Sequence, residues 1–475
     1  MANRARPSNK VACLILNVVV KVLPVSLSLY ALALMSSMAG MEIFGWLSGA
    51  LALLALIAVG LGGQADDNDG SGDLAAPIVD GSEHSFSHFS WMPVDKILLA
   101  LFVVIALGAA VNGPGFTPYI DIIGSARFIF LFILIRHSLF MTWNSRRVQK
   151  VVIPLMVLGG VIGAYCIVQH FTGLDLIRNS DRAVQPLTMG SAAGSIQLYR
   201  AAGLLNSPMT FAQSFGLFLC FPFAFLIVGF AQEKRHQIGL ILIATLMSIG
   251  LFLSMTRGAW VAAFVAICFM ASLLSMKYVV RAVVVFVLVA GTAVAVSPIA
   301  RSRLDSLFSV STFAHFDRFK IWSAHWEIAK DFPILGVGYG ENEPLSESYY
   351  DRLGIVDGQV GHAHNTYLQF LAGTGIVGLL LYLAFIGYFF YLSMKLWGKI
   401  PKTLRFERGL VLGAIGAQVF LHIGGLVECN FKDAEVNHPF MFILAMVAAL
   451  SLRALETEHL LDGVPLAVYR TGAKT

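Results

Sequence analysis

Apolar residues in this chain come in long unbroken blocks. They do not follow the 3.6-residue period of an amphipathic helix or the alternation of a half-buried strand. The blocks fall near 20–40, 43–63, 96–112, 125–143, 151–172, 208–231, 236–255, 258–274, 279–297, 366–393, 407–427 and 437–454. Helices of roughly 17–25 apolar residues match the thickness of a bilayer's hydrocarbon core. Lipid offers the backbone no hydrogen-bond partners, so a helical bundle is the main way to satisfy it there. The pattern predicts an all-α polytopic membrane protein with about twelve transmembrane helices. The tenth block is long and contains Gly373, Gly375 and Gly378, which predicts a tilted or broken helix.

Composition agrees with this reading. Of 475 residues, 57% are hydrophobic and only 13% charged, with a mean hydropathy of +0.75. These values exclude an ordinary soluble globular protein. Four of the five cysteines (Cys13, Cys166, Cys220, Cys268 and Cys429) lie inside apolar blocks, and none forms a CxxC pair. Neither a disulfide framework nor a cysteine metal site is expected. Arg4, Arg6 and Lys10 precede the first block as in a signal peptide, but the apolar stretch is too long and more spans follow. A retained first helix is expected. The net charge of +5 does not imply nucleic acid, because its distribution follows the spans.

Basic residues set the orientation. With the N-terminus in the cytoplasm, the inside segments include MANRARPSNK, NSRRVQK, EKRH and KLWGKIPKTLRFER, all basic. The segment 64–95 is the exception: it carries DDNDG, holds no Lys or Arg, is rich in Gly, Ser and Asp, and reads as a flexible cytoplasmic loop. Lys21, near the start of the first block, is expected to snorkel to the interface. The expected organisation is helices one to nine over 1–297, a large outer loop with amphipathic helices over 298–365, helices ten to twelve over 366–454, and a cytoplasmic tail over 455–475.

Arginines on the outer side run against this asymmetry and need a reason. Arg257 stands in the tight turn SMTRGAW between two spans; Arg200 opens RAAGLLNSPMTFA on the preceding outer loop. Arg178 and Arg182 have Asp175 and Asp181 nearby, so local pairing is their expected role. The large loop carries Arg301, Arg303, Arg318 and Arg352. Within it, Phe319, Trp322, Trp326 and Ala329 recur at helical spacing, which predicts an amphipathic helix on the membrane or capping the bundle. Arg318 lies one turn before Trp322 and shares its face. Converging arginines suit a diphosphate, since each guanidinium is a planar fork that stays charged. A snorkelling residue or a transporter site would also use arginine.

The large loop ends in GHAHN, with His362, His364 and Asn365 directly before the tenth block. Interfacial structure, metal ligation with His438 or Glu428, and general-base work are the competing roles. Spacing specifies no third ligand, so no metal and no cofactor is expected. A neutral imidazole beside phosphate-binding arginines fits one chemistry. An acceptor hydroxyl attacks a sugar carbon and a lipid-linked diphosphate leaves.

Together the motifs carry a resemblance. His364-Asn365, nine residues, Gly375, two residues and Gly378 resemble the signature of the O-antigen ligase and polymerase superfamily. RAAGLLNSP (200–208), TRGAW (256–260) and DRFKIWSAHWEIAKDFPILGVGYG (317–340) agree with it in the expected order, so the resemblance covers roughly 125–454. It implies a membrane glycosyltransferase of the GT-C type that inverts at the anomeric carbon, without nucleotide or required metal. It implies His364 as candidate base, Arg257 and Arg318 as catalytic arginines holding the diphosphate, and Arg200 and Asn365 as further substrate-binding residues. The donor implied is undecaprenyl-diphosphate-linked glycan. For a ligase the acceptor is lipid A core, on the periplasmic face of a bacterial inner membrane with both termini cytoplasmic.

The single dominant outer loop favours a ligase over a polymerase that uses a second lipid-linked repeat. A glycan or lipid transporter is the alternative from another class. It needs charges near the bilayer midplane, and Arg136 and His137 are the main residues of that kind.

Overall fold

The computed structural model describes residues 10–60, 91–112, 117–176, 185–187, 198–296 and 317–460. In chain order the helices are α1 (Lys10–Ala33), α2 (Met38–Gly60), α3 (Pro93–Asn112), α4 (Thr117–Thr142), α5 (Ser145–Thr172), α6 (Pro208–Ile227), α7 (Lys234–Leu253), α8 (Arg257–Ser272) and α9 (Met276–Val296). They continue with α10 (Asp317–Asp331), α11 (Asn342–Leu353), α12 (Thr366–Lys399), α13 (Arg405–Gly424) and α14 (Ala434–Leu460). Between α5 and α6 lies a small antiparallel pair, β1 (Gln185–Leu187) and β2 (Leu198–Arg200), with Gln185 opposite Arg200.

The protein is an all-α polytopic membrane protein. Among the described residues nine helices are long and apolar enough to cross a membrane, and α8 is a shorter apolar helix. Each predicted block falls on a helix. The first is shifted: α1 begins at Lys10 and the chain turns at 34–37. The turn forms because the Ser37 hydroxyl accepts from Gly40 N at 3.1 Å, capping α2, so an apolar run alone does not carry α1 further. Lys21 therefore sits mid-helix, exposed. Most of the 64–95 loop, Arg178, Arg182, Arg301 and Arg303 lie outside the described residues, as does 461–475 of the tail.

The core is built from α6, α13 and α14, whose faces are mostly buried, with α4 packed on α14 and α8 on α13. Small residues let backbones approach, as membrane helices without a hydrophobic drive between them require. A Cβ on Gly163 of α5 would lie 2.2 Å from the Leu246 carbonyl oxygen of α7. Arg136 and Asp95 are 1% and 0% exposed at their side chains, and pair with each other at 2.6 Å. Of the described cysteines, Cys166, Cys220, Cys268 and Cys429 are free.

The tenth block is a broken helix. Gly375 in α12 has φ 63° and ψ −171°, a backbone region essentially restricted to glycine. The break frees carbonyls and N–H groups, and the glycine-rich passage after α10 takes them up. Val337 N and Gly338 N donate to the Ala372 and Gly373 carbonyls at 3.3 and 2.9 Å, and Ile376 N donates to Pro333 O at 2.8 Å. The passage after α10 is thereby locked onto α12. Helix α10 packs on α11 and α12 through Ile321, Ala324 and Ile328. Of the stripe expected to define its apolar face, Ala329 is buried and Trp322 half-buried, whereas Phe319 and Trp326 are each 51% exposed. The buried face is the aliphatic one, because a helix docked on neighbouring backbone takes small and branched side chains more closely.

Candidate functional site

Four chain segments converge on one end of the bundle. The first is the start of α8. Ser254 and Thr256 are buried, and Met255 between them takes φ 55°, which turns the chain sharply enough to make Arg257 the first residue of α8. The second is the end of β2. Arg200 Nε donates to the Ser254 carbonyl at 3.1 Å, and Ala201 N donates to the Leu253 carbonyl at 3.0 Å. The α7–α8 turn and β2 are therefore stitched together. The third is the first turn of α10, which supplies Arg318. The fourth is the α13–α14 connection, which supplies Glu428.

Arg200, Arg257, Arg318 and Glu428 line one cavity of about 240 Å³, together with Gln213 and Thr256 among others. Three guanidinium groups from three separate segments thus face a single space, with one carboxylate among them. Arg318 Nη2 lies 3.6 Å from Glu428 Oε2. The other carboxylate oxygen is turned away from the arginines: His364 Nδ1 is 2.9 Å from Glu428 Oε1, and His362 Nε2 is 3.7 Å from it. Glu428 therefore stands between the arginine cavity and the histidine pair, with 9% of its side chain exposed.

The histidine loop is held in a demanding conformation. His364 has φ 45°, a left-handed value that costs a non-glycine residue energy and persists only when its surroundings fix it. They do so here. His364 N donates to His362 Nδ1 at 3.2 Å, Ala363 N to the Gln369 side chain at 2.9 Å, and Thr366 N to the Gly425 carbonyl at 2.8 Å. The Thr366 hydroxyl donates to the Glu428 carbonyl at 3.1 Å. Gln369 in turn donates to Glu343 at 3.0 Å, and Lys432 meets the same carboxylate at 2.6 Å. Asn365 is committed to structure: its Oδ1 accepts from Leu368 N at 3.0 Å, capping α12, and its Nδ2 donates to the Leu426 carbonyl at 3.0 Å. It does not line the arginine cavity.

Charge on the site follows from these contacts. Burial pushes the Glu428 carboxyl up, but the His364 hydrogen bond and the charges of His364, His362 and Arg318 outweigh it and hold it below the usual carboxylate range. Burial pulls the His362 imidazole down from its ordinary value, and His364 adds to this. Ionised Glu428 can only accept, so the proton of this contact sits on His364 Nδ1.

Among the described residues, His362, His364 and Glu428 also form a set whose ligand atoms lie within 4.8 Å of one another, close enough to hold a metal ion. His438, the other ligand considered from sequence, is elsewhere: its Nδ1 is 3.0 Å from the Tyr30 hydroxyl and its Nε2 3.5 Å from Glu42. Arg352 is also remote from the cavity, paired with Asp331 at 2.5 Å.

Residues 242–383 match the family model for O-Antigen ligase. A search of curated proteins found no match. The O-antigen ligase match supports the O-antigen ligase/polymerase superfamily and implies a membrane glycosyltransferase-like enzyme. Within the matched segment lie Arg257, Arg318, His364, Gly375 and Gly378. Arg200 and Glu428 lie outside it, yet the fold brings both to the same cavity. Glu428 was legible only as a possible metal ligand. Its signal is faint: one acid in HIGGLVECN, a short apolar link between two spans.

Proposed function

We propose that the chain is an O-antigen ligase. It transfers a glycan from undecaprenyl diphosphate to lipid A core on the periplasmic face of a bacterial inner membrane. The observation that carries this reading is the convergence of three arginines on one cavity whose carboxylate also contacts His364. Arg200, Arg257 and Arg318 bind the donor's diphosphate and stabilise the charge that develops as it leaves. His364, with Nδ1 held by Glu428, accepts the proton of the acceptor hydroxyl at Nε2. That oxygen attacks the anomeric carbon from the face opposite the diphosphate, so the configuration inverts. Glu428 stabilises the imidazolium that forms and does not itself take the proton. No step requires a metal.

Donor activation stored in the lipid diphosphate fits a site with no nucleotide available. Of the two residues behind the transporter reading, Arg136 is paired with Asp95 and neither lines the arginine cavity. A polymerase shares every feature of the donor half and differs in acceptor. The test is purified protein with undecaprenyl-diphosphate glycan, lipid A core and a second lipid-linked glycan as competing acceptors, with EDTA present. Glycan on lipid A core is expected. Elongated lipid-linked glycan makes the chain a polymerase. Movement of intact donor across proteoliposomes without transfer to either acceptor makes it a transporter.

A further inference from the structure

A second cavity lies apart from the arginine site. It encloses about 350 Å³ between α1, α4, α5, α6 and α14. Helix α5 separates the two. Its C-terminal end meets the site side, where Gln169 donates to the Gly203 carbonyl at 2.9 Å. Its N-terminal end carries Arg147 and Lys150, which line the second cavity. This is the end that the positive-inside asymmetry assigns to the cytoplasm.

The wall is chemically uniform. Leu27, Leu139, Leu155 and Phe218 are typical of it. The hydroxyls on the wall are turned back onto their own helices: Ser28 donates to the Pro24 carbonyl at 2.7 Å and Thr142 to the Ser138 carbonyl at 2.8 Å. Nothing in the interior therefore asks for a polar ligand. Val25 on its edge is 58% exposed, so the cavity opens sideways toward the surroundings of the membrane helices. The polar contribution comes from Lys150, which is exposed, and Arg147, which is half-buried. Hydrocarbon inside and cationic charge at one end are complementary to a single ligand class.

We propose that this cavity binds an acyl chain of an anionic glycerophospholipid, with the headgroup phosphate at Arg147 and Lys150. The reading is independent of the transfer reaction. A lipid held there ties α1 to α5 and α14 across a face that protein side chains alone leave unfilled.

Trp143 lines the cavity and supplies a reporter. The full-length protein is reconstituted in vesicles of phosphatidylcholine with brominated-chain phosphatidylglycerol added in steps. Bromine quenches tryptophan only on contact, and the component missing from Trp143→Phe belongs to Trp143. Saturable quenching of that component is expected at a low fraction of the brominated lipid. In Arg147→Gln/Lys150→Gln the half-saturation point is expected to rise about fivefold for each charge removed. Brominated phosphatidylcholine is expected to quench the component weakly. Equal quenching by both lipids, or an unchanged midpoint in the double variant, overturns the headgroup assignment. Absence of any Trp143 component overturns the site. Lys150 is exposed and Arg147 half-buried, so the double variant is compared only after its thermal unfolding transition matches that of the parent.

Discussion

His364 places Nδ1 2.9 Å from Glu428 Oε1, and this contact selects which imidazole nitrogen can do chemistry. An ionised acceptor places the proton of this contact on Nδ1, so Nε2 is the nitrogen not engaged by Glu428. Replacing His364 by Ala is expected to lower glycan transfer by about 10²–10⁴-fold, the usual contribution of a positioned base. Glu428→Gln keeps the size and one acceptor but loses the charge that stabilises imidazolium. It is expected to lower kcat by at least about tenfold, with little change in KM for the donor. Full kcat in Glu428→Gln, in protein shown to be folded, would sink the orienting role.

Arg257 and Arg318 are expected to act as forks, not as point charges. Arg257→Lys and Arg318→Lys each keep one positive charge on the cavity wall but cannot make two parallel hydrogen bonds. Both variants are expected to lose about tenfold or more in kcat/KM for the lipid-diphosphate donor. A purified-enzyme assay over donor concentration reads this directly. Full activity of both lysine variants would show that bidentate binding is wrong.

Gly375 ties the outer loop to the membrane helix. A Cβ there would lie 2.2 Å from the Ile334 carbonyl oxygen, and φ is 63°. Gly375→Ala is expected to destabilise by roughly 1–3 kcal/mol from the backbone alone, with the collision added. Because α10 carries Arg318, activity is expected to fall together with thermal stability in detergent. Gly387 in the same helix has open space at its Cβ, so Gly387→Ala is the control expected to leave both unchanged.

The spans were legible because lipid imposes one rule, an apolar block long enough to cross, and each block is local in sequence. The break at Gly375 was legible as an expectation because Gly373, Gly375 and Gly378 cluster within six residues of one block. What fills the break was not: Val337 and Gly338 bond to Ala372 and Gly373 across a loop whose path no periodicity records. The arginines were legible through the asymmetry they violate. Glu428 was not legible as His364's partner, because its role depends on a fold that joins positions 64 residues apart. Which residues of α10 meet the bundle was not legible for a related reason. Spacing shows that residues share a face, but not which face the bundle takes.

Asp433 supplies a pH test outside the reacting groups. Burial raises its carboxyl from 3.8 to about 6, against the pull of the Thr210 hydroxyl that donates to it at 3.1 Å. A raised acid favours the folded state most when protonated. Its contribution is full below pH 3.8 and is lost as pH rises to about 6. Asp433→Asn removes that dependence while retaining an acceptor for Thr210. The variant is expected to be more stable than the parent at pH 7–8 by at most about 3 kcal/mol, and the gain is expected to vanish toward pH 4. Thermal unfolding across that range checks it. A gain that grows as pH falls would reverse the sign and refute the assignment.

Arg136 and Asp95 form the most buried ion pair among the described residues, Arg136 Nη1 lying 2.6 and 2.7 Å from the two carboxylate oxygens. Asp95 Oδ2 also accepts from Met92 N at 2.7 Å, so the pair holds the first turn of α3 against α4. Removing one partner leaves the other charged and dry. Asp95→Ala and Arg136→Ala are each expected to cost about 3–5 kcal/mol. Replacing both with apolar residues of similar volume, Asp95→Leu with Arg136→Met, is expected to restore most of that loss, though the Met92 contact is still missing. Transfer activity in the double variant is expected to remain near that of the parent, because neither residue lines the arginine cavity. Loss of activity with stability restored would instead give the pair a part in moving substrate, and would return the transporter reading to consideration.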